Sequence, residues 1–145
     1  MGKHFIALRV RPLRKWADVA AATEHGQRIR NVAHVDVSRS DLNVHWTHDP
    51  TAGGLAPTDA PADIAACLRK RANQIGARWH KTAIVATEIM FIASHEFFLT
   101  EGGATDPARA QRWAEACMGA WEGLFPGQSV AARLDLDETT PHLSV

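Results

Sequence analysis

The sequence predicts an α+β fold, a mainly antiparallel sheet with helices packed on one face, and three observations lead there. Residues 5–11 alternate apolar and polar side chains, three segments carry apolar residues three to four apart, and residues 83–93 form an apolar run rich in β-branched side chains. Strand and helix patterns follow in the order strand, helix, helix, strand, helix, strand, with a short final strand. That order fits helices set against an antiparallel sheet better than a regular βαβ array.

Ile6, Leu8 and Val10 share one side of an extended chain and predict a half-buried strand that Pro12 ends. From Leu13 to about Arg28, Trp16, Val19, Ala20 and Thr23 keep helical spacing, and Gly26 loosens the last turn. Residues 30–46 show no sustained period. Residues 48–61 contain Pro50, Gly53, Gly54, Pro57 and Pro61 and read as an exposed connection. Between Asp63 and Trp79, Ile64, Cys67, Leu68, Ala72, Ile75 and Trp79 make an apolar stripe opposite Arg69, Lys70 and Arg71. This basic helix face either tracks a DNA backbone or is simply solvated. Residues 83–93 predict the central strand. Thr105 or Asp106 ahead of Pro107 is a helix-start signature, and Ala110, Trp113, Ala114, Cys117, Trp121 and Leu124 continue that helix until Pro126 and Gly127 stop it. Residues 130–136 read as a strand and residues 137–141 as a turn. A last strand opens at His142 with four residues, short against the usual five or six or so, as expected of a shortened chain or a fragment.

At 145 residues and 15.9 kDa, the chain is expected to form a single domain over residues 1–145. Nothing in it approaches the roughly 20 consecutive apolar residues that cross a bilayer, and the first residues lack the pattern of a secretory signal, so a cytoplasmic protein without a membrane partner is expected. Cys67 and Cys117 are too far apart for a zinc knuckle or redox pair and read as buried free thiols. Tyrosine is absent, so no phenolic oxygen can serve as a nucleophile. The formal net charge of zero hides a polarity: 13 Lys and Arg against 7 Asp and Glu through Lys81, then 3 against 9. A basic first half suits polyanionic phosphate and an acidic second half suits a cation, although charge clustered on solvated helix faces gives the same count.

Three clusters carry chemistry. His25 has a neutral imidazole at pH 7, able to attack phosphorus or to accept a proton; it equally fits an exposed residue near a fraying helix end. Arg28, three residues on, shares its face if the helix continues and can brace charge building on a phosphorane. Ser38, Arg39, Ser40 and Asn43 are donors of the kind that hold a phosphate backbone in register, or that satisfy a local turn. Asp135, Glu138 and His142 offer an oxygen-rich set for Mg²⁺ or Mn²⁺; alternatively Asp137 and Glu138 are turn residues ahead of Pro141. The other histidines have no close ligand spacing except His45 with His48, which reads as surface. Trp46, in a polar context, is the tryptophan to consider for stacking on an unpaired base.

Taken in order, these clusters resemble the Pre/Mob family of plasmid mobilisation relaxases, within the HUH endonuclease group. His25 and Arg28 match its HxxR element, Ser38-Arg39-Ser40 with Asn43 its SRSxxN segment, and Asp137-Glu138-Thr139-Thr140-Pro141-His142 the heart of its HxDExTPHxH metal motif. The motif is degenerate: Asp135 stands where it begins with His, Ser144 where it closes with His, and Val44 replaces a common aromatic residue. The resemblance implies a relaxase-like domain that binds single-stranded DNA at a plasmid transfer origin. It implies Mn²⁺ or Mg²⁺ at Asp135, Glu138 and His142, and DNA contacts from Ser38, Arg39, Ser40 and Asn43. It further implies attack by His25, assisted by Arg28, to nick and rejoin the strand through a covalent protein–DNA intermediate. The histidine replacements keep a second reading open, a catalytically inactive DNA-binding remnant or regulator of the same family.

Overall fold

A computed structural model describes residues 4–29 and 33–145, and in it six strands form one sheet whose neighbours all run antiparallel. The strands are β1 (Ile6–Leu13), β2 (Val44–Asp49), β3 (Gly54–Thr58), β4 (Ala86–Ala93), β5 (Ala131–Asp135) and β6 (His142–Ser144), in the spatial order β1-β4-β6-β5-β2-β3. The helices are α1 (Trp16–Gly26), α2 (Ile64–Ile75) and α3 (Pro107–Leu124). The antiparallel sheet is as the sequence predicts, and the helices divide between its two faces rather than sharing one.

Alternation along the strands explains that division. Ile89, Phe91 and Ala93 of β4, Ala132 and Leu134 of β5 and Leu143 of β6 project to one side, where they pack against Ala110, Trp113 and Ala114 of α3. Leu13 and Ala86, paired across β1 and β4, project to the other side and meet Val19 and Ala22 of α1 with Ile64 and Leu68 of α2. On that second side Met90, Ile92, Arg133, Asp135, His142 and Ser144 form a stretch of sheet next to α1. The functional site lies there.

Local signals set the helix ends. The Asp63 side chain accepts the Ala66 N–H at the start of α2, and the Asp106 side chain accepts the Arg109 N–H at the start of α3, with Pro107 as its first residue. Gly76 ends α2 in the left-handed conformation at φ 69°. Trp79 therefore lies beyond the helix, where it packs edge-on against Trp16 and donates to the Val85 carbonyl. No described helix is long and apolar enough to cross a membrane.

Several expectations need correction. Ile6, Leu8 and Val10 do share one side of β1, but they are 72%, 48% and 60% exposed because α3 does not cover this edge strand. Pro12 lies inside β1 rather than after it; an edge strand tolerates the lost N–H. Half of residues 48–61 are strand, since β2 and β3 form a hairpin around Pro50 and Gly53. Trp46 is 3% exposed in the α3 core and offers no surface for a base. His45 is buried, three residues from His48 on β2, so the two side chains face opposite sides of the sheet. Arg69 lies over the Trp16 ring and Arg71 donates to the Gly127 carbonyl, so two of the three cations on α2 are engaged in packing. Cys67 and Cys117 are free and half-buried, and burial raises both thiol pKa values.

Leu143 sits on a central strand with 0% exposure. Leu143→Ala is expected to lower stability by about 2–5 kcal/mol through lost burial and a residual cavity, measured as a shift in the urea midpoint.

Candidate active site

The site forms where the end of α1 meets the turn between β5 and β6. After Gly26 the chain closes α1 with paired bonds, from the Arg28 N–H to the His25 carbonyl and from the Ile29 N–H to the Glu24 carbonyl. This is the bond pattern of a Schellman end, in which the residue at Arg28 takes the left-handed conformation and is usually glycine. Arg28 occupies it with φ 55°, among the described residues the one non-glycine position of this kind. A residue with a Cβ is disfavoured there, so the side chain must be held by something that outweighs the backbone cost.

Three carboxylates hold it. Arg28 Nε donates to Asp137 Oδ2 at 2.8 Å and Nη2 to Asp137 Oδ1 at 2.5 Å, a two-pronged pair. Nη2 also reaches Asp135 Oδ1 at 2.8 Å and Glu138 Oε1 at 3.4 Å, and the guanidinium is only 8% exposed. Nη1 donates to the His25 carbonyl at 2.8 Å and lies 3.1 Å from its Nε2. Asp137 is further fixed by the Ser40 hydroxyl at 2.5 Å. Asn43 Oδ1 accepts the N–H groups of Leu136 and Asp137 at 2.7 and 3.2 Å, and the Asp36 N–H donates to the Asp137 carbonyl at 2.7 Å. The second motif thus grips the acidic turn.

The first and third motifs also meet. His25 Nε2 lies 3.2 Å from Glu138 Oε1, and His34 Nε2 lies 3.4 Å from Oε2 of the same carboxylate. Glu138 would accept a proton from His25 Nε2 whereas Arg28 would donate one to it, so the two neighbours favour opposite tautomers. Asp135 and His142 are paired across β5 and β6, and His142 Nε2 lies 3.2 Å from Asp135 Oδ2. His142 Nδ1 faces the Thr140 carbonyl at 3.3 Å and Glu138 Oε2 at 3.8 Å. Arg133, two residues before Asp135 on the same strand face, donates Nε to both Asp135 oxygens at 2.7 and 2.9 Å. Its guanidinium passes so close to Gly26 that any β-carbon there would strike it.

Burial opposes ionisation of Asp135, Asp137 and Glu138, yet each has its pKa lowered. Bonds from His142 and Arg133 do this for Asp135, bonds from Arg28, Ser40 and Asn43 for Asp137, and the His25 bond with the His142 and Arg28 charges for Glu138. His142 moves the other way. Burial disfavours its imidazolium, but the bond to Asp135 and the charges of Asp135 and Glu138 outweigh that and raise its pKa.

His25, Glu138 and His142 therefore converge on one cleft of about 330 Å³, with His34, Met90 and Ile92 among its walls. An adjoining cleft of about 410 Å³ shares His25 and His142 and carries Arg9, Arg11 and Arg133. Ser40 and Asn43 are turned inward onto the acidic turn. Ser38 donates its hydroxyl and N–H to Asp36 Oδ1 at 2.6 and 3.1 Å, and the Arg39 N–H bonds the Asp36 carbonyl, so both sit in a local 3₁₀ turn, Val37–Leu42. Three further contributions come from the fold: Arg133, His34 and the anchoring role of Asp137. Arg133 is legible as the i−2 neighbour of Asp135 on a strand; His34 and the anchoring role of Asp137 carry no local signal.

One ligand atom each from Asp135, Glu138 and His142 falls within 4.8 Å of the others, a separation and donor set that fit a hard divalent ion. Ser144 Oγ is buried on the same strand face without a hydrogen-bond partner. Asp135, whose charge is already shared with Arg28 and Arg133, is the weakest member of the set.

No family model matches the chain. It is 28% identical over 127 residues to the 65 kDa protein of Zymomonas mobilis subsp. mobilis, an alignment that takes in 87% of this chain and spans about a fifth, 20%, of that protein. Among solved structures it is similar to the MobM relaxase domain (MOBV, Mob_Pre) bound to oriT DNA of plasmid pMV158. In the Mn-bound form at pH 5.5 the TM-score is 0.72 at 19% identity, covering 97% of this chain and 68% of that one. In the Mn-bound form at pH 4.6 the score is 0.69 at 20% identity, with the same coverage. The chain has the fold of the Mob/Pre relaxase domain.

Removing the central cation leaves Asp137 buried without a cation and takes one partner from Asp135 and Glu138, so Arg28→Met is expected to cost about 3–5 kcal/mol in chemical denaturation. Arg28→Lys, which keeps the charge without the fork, should recover only a minor part. The acid side follows from the lowered carboxyl pKa values. Their stabilisation is complete above about pH 5 and is lost as pH falls below roughly 4 through the folded-state values. His142, with a raised pKa, stabilises below its ordinary value of 6.5 and loses that contribution as pH rises through its folded value. Unfolding free energy against pH should accordingly peak between about 5 and 6.5, and Asp137→Asn should flatten the acid limb.

Proposed function

We propose that the chain is the relaxase-like part of a plasmid mobilisation protein, which binds single-stranded DNA at a transfer origin and nicks it by transesterification, keeping the strand as a covalent adduct. The observation that carries this reading is the convergence of His25, Glu138 and His142 on one cleft, although they come from opposite ends of the sequence. The fold shared with an oriT-bound, Mn-bound relaxase domain supports it.

In this reading Arg9 and Arg133 draw the phosphate backbone along the sheet face toward His25. A divalent ion, Mn²⁺ or Mg²⁺, held by Glu138 and His142 with Asp135 beside them, would supply Lewis-acid polarisation of the scissile phosphate. Glu138 orients the His25 ring through Nε2, and a lone pair of that imidazole attacks phosphorus. A nitrogen–phosphorus bond forms, the bond to the 3′ oxygen breaks, and that oxygen leaves with its electron pair to be protonated by water. The protein then carries the 5′ phosphate. Because the linkage is reactive, the free 3′ hydroxyl can reverse the step without a nucleotide cofactor. Arg28 acts here as a positioning residue, holding the acidic turn against α1 while its Nη1 touches His25. Ser40 and Asn43 support that turn from behind, and Ser38 with Arg39 present a polar rim to DNA.

One observation favours a second reading, DNA binding without cleavage. Asp135 is neutralised by two guanidiniums and Ser144 offers only a hydroxyl, which together weaken the cation site.

Incubation with single-stranded origin oligonucleotides and Mn²⁺ tests both. A covalent adduct on a denaturing gel is expected from the parent chain, at least about a hundredfold less from His25→Ala, and none after chelation of the metal. An adduct from His25→Ala would remove the nucleophile assignment. Salt-sensitive binding with no adduct under any metal would establish the second reading.

A further inference from the structure

The reaction above gives no role to His34, yet its imidazole is aimed at the catalytic glutamate. His25 reaches Glu138 from the end of α1, and His34 reaches it from the segment before Val35, which itself bridges to Glu138 through the backbone. The two rings stand with centroids 6.3 Å apart and planes 37° from each other. One donor atom from each of His25, His34 and Glu138 falls within 4.8 Å of the others.

All three donors stand close enough to share one small ion. Two donors on a tetrahedral ion with bonds of about 2.0–2.1 Å lie roughly 3.3 Å apart. His25 Nε2 lies 3.2 Å from Glu138 Oε1 and His34 Nε2 lies 3.4 Å from Oε2, so an ion between the two rings would meet both oxygens of the carboxylate. Two imidazoles and one carboxylate, with a fourth position for water, make a borderline donor set that favours Zn²⁺ over Mn²⁺ or Mg²⁺. The neighbouring group of Asp135, Glu138 and His142 has the opposite balance, two carboxylates and one imidazole. Both groups need Glu138, and one needs His25.

We propose that His25, His34 and Glu138 form a separate site for a Zn²⁺-class ion, and that its occupancy withdraws the His25 imidazole from reaction with any other group. Binding at this site is independent of whether the protein nicks DNA. The consequence for nicking rests on the reading of His25 as nucleophile.

The test uses Co²⁺ and Zn²⁺ on the whole chain without DNA. Co²⁺ should give tetrahedral absorption bands at one ion per chain, displaced by Zn²⁺. His34→Ala and His34→Gln should weaken this binding at least about tenfold, whereas His142→Ala should leave it within about threefold. In parallel, Zn²⁺ should slow carbethoxylation of His25, followed by mass spectrometry, at least about tenfold in the parent chain and not in either His34 variant. Unchanged metal binding in the His34 variants overturns the proposal, as does loss of binding in His142→Ala or His25 that stays equally reactive with Zn²⁺. Failure of the parent chain to nick DNA would bear on the earlier reading and leave these measurements decisive for this one.

Discussion

One buried guanidinium holds this site together. Arg28 meets Asp137, Asp135 and Glu138 at once, and without it those carboxylates would have to ionise side by side in a poorly solvated corner. The left-handed backbone at Arg28 follows from this demand. The guanidinium must turn back under His25 to reach the acidic turn, and ending α1 in a Schellman arrangement points it there. A glycine would suit the backbone and fail the electrostatics.

The same constraint organises the surroundings. Antiparallel register sets Asp135 opposite His142, so the turn between them carries Asp137 and Glu138 to the end of α1. Ser40 and Asn43 bind that turn from the side away from the cleft, and the Val35 bridge continues the grip to Glu138. Three segments far apart in sequence are thereby reduced to one rigid junction. Gly26 completes it, because the space a β-carbon would take there is filled by the end of the Arg133 side chain, whose Nε bonds Asp135. The charge polarity of the chain finds a partial physical explanation here: a cation from the basic half neutralises carboxylates of the acidic half inside the fold.

Much of this is legible from residues alone, and the failures share a cause. The Asp106-Pro107 start and the apolar stripe after it define α3 because both signals are local, and the β-branched run defines β4 for the same reason. The hairpin of β2 and β3 is hidden because Pro50, Gly53 and Pro57 dominate the composition, although Pro57 sits on an edge strand where its missing N–H costs little. Alternation places Ile6, Leu8 and Val10 on the correct side of β1 but cannot tell that α3 stops short of covering them. At the site, motif order brings out His25, Glu138 and His142. The partnership of Arg28 with Asp137 depends on a reversal of chain direction after Gly26, and the approach of His34 on a backbone bridge, neither of which spacing encodes.

At Asp135 the proposed cation site and the ion pairing of the fold pull in different directions. Replacing imidazole by carboxylate ordinarily strengthens a site for a hard ion, since it adds charge and an oxygen donor. Here both oxygens are already occupied, one facing Arg28 and Arg133, the other facing Arg133 and His142. Much of the added negative charge is cancelled before an ion arrives. What Asp135 does supply is orientation: by fixing the Nε2 side of His142 it leaves Nδ1 toward Glu138, the arrangement in which an outer carboxylate steadies a metal-binding imidazole. In the proposed reading an ion would therefore be held mainly by Glu138 and His142. Two ligands hold Mn²⁺ or Mg²⁺ loosely unless phosphate oxygens complete the sphere, so metal affinity at this site should be coupled to the presence of DNA.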